Sequence, residues 1–172
     1  MSPWRKTFYA AWGAQILSIT GFSFIMPFMP YYIHHLGITD RADAARWTGI
    51  AAAAWGMAMM VFAPIWGILA DRYGRKLMVM RSMLGGAVVI ALMALARNVG
   101  DIVALRMMQG ILTGTIGASI ALVSSVTPAN RSGYAMGMMQ AAVFIGAAIG
   151  PLLGGVAVDR LGFQAACLIG GG

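Results

Sequence analysis

The sequence predicts an all-α membrane protein, a bundle of six transmembrane helices whose sixth member is cut short. Three observations predict it. Of 172 residues, 60% are hydrophobic and only 10% are charged, with no Glu at all, whereas a soluble domain carries about a quarter charged residues to cover its surface. The apolar residues gather into runs long enough to cross a bilayer. The charges collect in the short gaps between those runs.

A helix needs about 20 apolar residues to span the hydrocarbon core. Five stretches meet that length: Phe8–Ile33, Trp47–Leu69, Leu77–Ala96, Ile102–Val126 and Gly133–Val158. A sixth begins near Phe163 and stops with the chain at Gly172. The gaps are short, so neighbouring helices should run antiparallel. The first run is too long for a signal-peptide core and is expected to remain as a span.

Lys and Arg set the orientation. Arg5, Lys6, Arg72, Arg75, Lys76, Arg81 and Arg131 fall on one side; Arg41, Arg46, Arg97 and Arg160 fall on the other. The richer side is expected in the cytoplasm, together with the N-terminus. Aromatic residues cluster near both sets of helix ends, as interfacial belts do: Trp4, Tyr9, Trp12, Trp66 and Tyr134 on one side, Tyr31, Tyr32 and Trp47 on the other.

Glycine is abundant, with 23 residues. It weakens a soluble helix, but in lipid small residues let helices approach closely. Ala142, Gly146, Gly150 and Gly154 recur every fourth residue, and Gly110 and Gly114 repeat that spacing. Such ridges serve packing within one bundle or dimerisation. Packing is the expectation here.

The loop after the second span reads Gly67-Ile-Leu-Ala-Asp71-Arg72-Tyr-Gly74-Arg75-Lys76. Gly74 permits a tight turn, Asp71 can face a helix N-terminus or an Arg, and the cations hold the loop at the headgroups. The fifth span reads Gly137-x8-Gly146-x3-Gly150-Pro151-x2-Gly154-Gly155. Pro151 removes a backbone donor and bends a helix, and the glycines accommodate the bend. The fourth span holds Arg106-x2-Gln109-Gly110. An Arg within a span costs at least about 2.5 kcal/mol and should face a polar interior. At about 100° per residue, Arg106, Gln109, Thr113, Gly117 and Ser124 share one face. The other reading is that Arg106 snorkels to the outer surface. The first span ends Gly21-x5-Pro27-Phe-Met-Pro30, and its face bearing Gln15, Ser18, Phe22 and Met26 either lines the same path or satisfies helix contacts.

Taken together these motifs resemble those of the major facilitator superfamily. The loop at Gly67–Lys76 matches the superfamily's signature G-x-L-A-D-R-x-G-R-K, and the fifth span resembles the antiporter signature of its drug/proton exporters. Arg106 and Gln109 resemble its intramembrane arginine motif, Gly21–Pro30 a further exporter motif, and Asp159-Arg160-Leu-Gly162 a weaker echo of the signature loop. The resemblance covers the whole chain. It implies a twelve-helix transporter in two halves, of which this chain holds the N-terminal six-helix half and lacks the C-terminal one.

The activity so implied is proton-coupled efflux of drugs or similar small amphipathic compounds by alternating access in a bacterial inner membrane. The alternatives are a facilitator for another solute such as a sugar, or a scaffold or fragment that does not transport. Arg106, Gln109, Thr113, Gln15, Phe22 and Met26 are expected along the substrate path. Gly67, Asp71, Arg72, Gly74, Arg75 and Lys76 should form a cytoplasmic gate. Gly137, Gly146, Gly150, Pro151, Gly154 and Gly155 should form the bending antiporter helix. The expected partners are lipid, a small-molecule substrate and the missing half.

Other functions find no support in the residues. The basic balance, +7, does not form one face, so nucleic acid is not an expected partner. Cys167 is the sole cysteine and forms no internal disulfide. There is no phosphate-cradling loop for ATP, no metal-ligand spacing and no nucleophile–base constellation. Neither enzyme activity nor a cofactor is expected, and a proton gradient would supply the energy. His34 and His35 are adjacent, so they do not converge on a metal. The 15 Met residues mostly face lipid or neighbouring helices. One departure stands out. Many proton-coupled exporters have an acidic residue within an early span, and none of the five Asp lies in a span core here. The proton carrier then lies in the missing half, at Asp71, or around Arg106.

Overall fold

The computed structural model describes residues 3–171, which are helical almost throughout. The helices are α1 (Pro3–Ile25), α2 (Met29–His35), α3 (Arg41–Tyr73), α4 (Arg75–Met93), α5 (Val99–Leu112), α6 (Thr115–Val126) and α7 (Ser132–Gly171). Among the described residues, five helical units are long and apolar enough to cross a membrane: Trp4–His35, Arg41–Tyr73, Arg75–Met93, Val99–Val126 and Ala129–Phe163.

Local chemistry sets where these helices begin and end. The first span is not one continuous α-helix. A 3-10 turn at Met26–Phe28 separates α1 from α2, at the segment where Pro27 and Pro30 each lack a backbone donor. Asp40 caps α3 by accepting from the Ala42 amide at 3.2 Å. At its 33 residues and about 1.5 Å rise per residue, α3 is longer than the hydrocarbon core. Pro64 sits inside it. It stops at Gly74, whose φ of 95° lies in the left-handed region that only glycine adopts without strain. The next residue starts α4. Asn98 and Asp101 form a reciprocal capping box at the start of α5, with Asp101 N to Asn98 Oδ1 at 2.9 Å and Asn98 N to Asp101 Oδ2 at 3.3 Å.

One feature departs from the sequence reading. The fourth span, expected as one helix over Ile102–Val126, breaks at Thr113–Gly114 into α5 and α6. Thr113 is extended, with ψ 161°. In α7 the helical dihedrals fail at Gly162, φ 80°, within the gap the sequence leaves between Val158 and Phe163.

The glycine ridge packs as small residues should. A side chain on Gly146 would meet Ile19 Cβ at 2.8 Å, and one on Gly150 would meet Ser23 Cβ at 2.6 Å. On Gly154 it would overlap the Phe24 carbonyl. Ala135, Met139, Ala142, Gly146, Gly150 and Gly154, at intervals of three or four, are the buried line of α7. Its partner is α1. Gly110 does the same on α5, against the Trp55 carbonyl and Ala58 of α3. The end of the bundle at α2 is held by a core around Ile33, Val89, Met93 and Ile102. There Tyr32 stacks on Phe163, centroids 3.9 Å apart, and donates to the Ala96 carbonyl at 3.1 Å. Large apolar side chains elsewhere face outward, among them Met60, Ile68, Phe144 and Leu152, the pattern of a protein in lipid or against a further apolar surface.

Candidate functional site

A cavity of about 490 Å³ lies near the middle of the spans. Its wall comes from α1 (Leu17 to Ser23), α3 (Trp55, Met59), α4 (Ser82 to Ile90), both sides of the α5–α6 break (Gln109, Thr113, Gly114, Ile116) and α7 (Val143, Ala147). The lining is mainly apolar and contains no charged residue. Phe22 and Trp55, with centroids 5.3 Å apart, make an aromatic corner.

Arg106 stands behind this wall rather than on it. It is 2% exposed. Its Nη1 donates to Gln109 Oε1 at 2.8 Å and its Nη2 to Met26 Sδ at 3.5 Å. The guanidinium carbon lies 5.6 Å from the Phe22 ring centre, within cation–π range. Salt bridges among the described residues are Arg46–Asp43 and Arg75–Asp71, so Arg106 is buried without a carboxylate. It does not snorkel. Thr113 donates its hydroxyl hydrogen to the Gln109 carbonyl at 2.6 Å, which secures the last turn of α5 at the break.

The path residues therefore divide by position. Gln109, Thr113 and Phe22 line the cavity. Arg106 and Met26 touch each other behind it. Gln15 is 1% exposed, and neither of its amide atoms has a hydrogen-bond partner. It sits in the helix packing, one turn beyond Ala11, which packs in a second core with Phe8, Val123, Ala135 and Met139. The shared face drawn through Gly117 and Ser124 ends at the break, and both residues are exposed on α6.

The signature loop is assembled by Arg75. Its Nη2 pairs with Asp71 Oδ1 at 3.2 Å, and its Nη1 donates to the Ala121 carbonyl of α6. Gly74 supplies the turn between them. Arg72 lies 5.7 Å from the Tyr73 ring centre, while Gly67 is exposed with open space around it. Lys76 is exposed too. On α7, Gly146, Gly150 and Gly154 touch α1, Gly155 would meet Phe28 at 3.5 Å, and Gly137 has open space.

Several residues escaped the sequence reading. Arg81, counted there only among the cations of one side, lies within α4. Its guanidinium carbon is 3.4 Å from the Trp66 ring centre, and Trp66 Nε1 donates to the Ile111 carbonyl at 2.6 Å. Trp55, Ser82 and Gly86 line the cavity. The Gly85-Gly86 pair was a usable signal: added side chains there would meet Leu112 and Thr113 at 3.1 and 3.2 Å, so these glycines let α4 approach the break.

Comparison with known proteins bears on the family and the fold. The sequence model of the Major Facilitator Superfamily matches residues 11–172. The multidrug resistance protein MdtG of Proteus mirabilis (strain HI4320) is 40% identical over 161 residues, covering 94% of this chain and 40% of that protein. MdtG of Serratia proteamaculans (strain 568) is also 40% identical over 161 residues, with 94% and 39% covered. The chain thus spans about two fifths of the length of the curated relatives it matches. In fold it is similar to the crystal structure of the human organic anion transporter MFSD10 (TETRAN), with a TM-score of 0.82, 20% identity, and 99% of this chain against 46% of that one. A matching family model over nearly the whole chain, relatives at this identity and a shared fold lead to one conclusion: the chain belongs to the Major Facilitator Superfamily, a family of multi-pass membrane transporters.

Proposed function

We propose that this chain forms the substrate-binding N-terminal half of a proton-driven exporter of small amphipathic organic compounds. The observation that carries the reading is the cavity: about 490 Å³, apolar on most sides, aromatic at one corner and polar at Gln109 and Thr113. A mainly apolar pocket with a few fixed polar groups suits a drug-sized amphipathic molecule. A sugar pocket needs polar partners for many hydroxyls, and buried hydroxyls without partners cost about 1–3 kcal/mol each. That disfavours the sugar facilitator. The likeness to MdtG proteins, named for multidrug resistance, favours export.

In this reading a second half packs against the exposed faces of α3 and α7. The two halves rock about the cavity, so that it opens to each side of a bacterial inner membrane in turn. The N-terminus and the Asp71–Lys76 loop lie in the cytoplasm. A proton gradient drives the cycle.

The test uses inverted membrane vesicles containing the complete transporter and a panel of fluorescent amphipathic dyes of either charge. Dye accumulation that follows an imposed proton gradient and stops with a protonophore supports the proposal. Accumulation that ignores the gradient sinks proton coupling, and none of any dye sinks export.

A further inference from the structure

Building on the cavity as the substrate site, we infer that its Gln109 end binds a hydrogen-bond-accepting head group, a carboxylate or carbonyl oxygen, and that Arg106 sets this preference by fixing the Gln109 amide. A guanidinium has donors and no acceptor. Its 2.8 Å contact to the Gln109 side chain therefore requires the amide oxygen to face Arg106. The amide NH2 is left as the other end. Gln109 is 1% exposed yet contributes to the cavity wall, and its Nε2 has no partner among the described residues. The outward group is a buried, oriented donor.

A second set of donors lies beside it. The α5–α6 break puts the start of α6 on the cavity wall at Gly114 and Ile116. Gly114 offers no side-chain cap, and the first intrahelical bond is Ala118 N to Gly114 O. The amides of residues 115–117 thus lack helical partners, at the positive end of the helix. Thr113 keeps acceptor lone pairs, but its hydrogen is committed to the Gln109 carbonyl.

The field has the same sign. No carboxylate lines the cavity. Arg106 stands one side chain behind Gln109. A cationic head group placed here meets donors and a positive charge. An anionic or carbonyl head group meets the partners it needs, while its apolar body lies against Phe22, Trp55 and Met59. Arg106 acts as a positioning residue, since it reaches the ligand only through Gln109.

The experiment compares two probes with one apolar body, 2-naphthoate and 2-naphthylmethylamine. Binding to the protein in lipid nanodiscs is followed by tryptophan quenching and corrected with empty nanodiscs. The carboxylate should bind on the order of tenfold more tightly. Gln109→Leu should bring the ratio to about one while both probes still bind. Gln109→Glu pairs its carboxylate with Arg106 and offers only acceptors, so the ratio should reverse. Arg106→Met frees the amide to rotate, and the ratio should fall although the apolar wall is intact. A variant that merely loosens the fold weakens both probes alike and leaves the ratio in place. Equal affinities in the unsubstituted protein overturn the inference and leave the cavity standing. A ratio unmoved by both Gln109 variants also overturns it. Binding of neither probe removes the cavity reading, and this inference with it.

Discussion

Arg75 bridges two elements at once: its Nη1 donates to the Ala121 carbonyl of α6 at 2.5 Å while its Nη2 pairs with Asp71 at 3.2 Å. The Asp71 pair alone is worth little, because the Asp71 side chain is 71% exposed and screened pairs contribute about 0–1 kcal/mol. What Asp71 does is aim the guanidinium fork. The contact to Ala121 then ties the end of the signature loop to the helix beyond the α5–α6 break. A tie of this kind suits a gate that must open and close.

Arg75→Lys and Asp71→Asn therefore should act on turnover more than on folding. Lys keeps the charge but cannot make two bonds with one planar fork. Asn keeps the shape of Asp71 but loses the charge that orients Arg75. Export by the complete transporter, normalised to membrane abundance, should fall several-fold in both, with abundance near normal. Full export from both well-expressed variants would leave the loop a purely topological role.

The small-residue ridge gives a prediction graded by distance. Gly154→Ala puts a methyl into the Phe24 carbonyl, and Gly150→Ala puts one 2.6 Å from Ser23 Cβ. Overpacking of this sort costs about 1–3 kcal/mol. Gly137→Ala meets nothing within 4 Å and removes a helix-interior glycine, so it should be neutral or stabilising by about 0.5–1 kcal/mol. Thermal unfolding of the purified protein in detergent ranks the three. If Gly154→Ala melts no lower than Gly137→Ala, α1 and α7 do not meet along this line.

The ridge was readable in the sequence because a four-residue repeat of Ala and Gly specifies both the face and its neighbour's closeness. The span count was readable for the same reason: apolar length is a local property. The turn at Gly74 was readable too, whereas Asp71 was left between a helix N-terminus and an Arg, and the structure pairs it with Arg75. Three features were not readable. The break at Thr113–Gly114 lies inside an unbroken apolar run, and what holds it is tertiary, with Gly85 and Gly86 of α4 against Leu112 and Thr113. Arg81 was counted only for its charge, because a partner on another helix, the Trp66 ring, is not visible from local sequence. Gln15 shared a helical face with Phe22, but a face does not say whether a neighbour covers it.

Arg81 and Trp66 should be energetically coupled. The guanidinium carbon lies 3.4 Å from the ring centre, yet Arg81 Nε and Nη1 are buried without hydrogen-bond partners. The indole face supplies their compensation, about 0.5–2 kcal/mol. Trp66→Leu removes it and also frees the Ile111 carbonyl, so it should lower the melting temperature. Arg81→Met removes the buried charge and keeps the volume, and should be close to neutral. The double variant should lose less than the sum of the two. Strict additivity of the melting shifts converted to free energy would show that the stacking contributes nothing.

Orientation is open to direct labelling. In the proposed topology the Lys and Arg excess puts Tyr73 in the cytoplasm and Asp43 outside. Single cysteines at these positions, in a Cys167→Ser background, meet an impermeant thiol reagent added to intact cells. Asp43→Cys should react and Tyr73→Cys should not until the cells are opened. The reverse pattern would invert the proposed topology, and with it the cytoplasmic assignment of the gate loop.

Transport by Arg106 variants is the most demanding test. Arg106 binds Gln109 through one nitrogen and Met26 through another, with Phe22 beside it. It thereby links α1 to α5 across the cavity's polar end. Ala at this position deletes the charge and leaves Gln109 Oε1 unpaired in a buried site, at a cost of about 1–3 kcal/mol. Lys retains a donor for Gln109 but not the second, differently directed one, and its ammonium is more strongly hydrated and costlier to bury. Export should be lost in Arg106→Ala and partly retained in Arg106→Lys, each normalised to membrane abundance and measured at several pH values. Equal export by all three proteins at every pH would remove Arg106 from the mechanism. Full export by Lys with none by Ala would leave a bare requirement for positive charge, and the two-directional contact seen here would then have no part in transport.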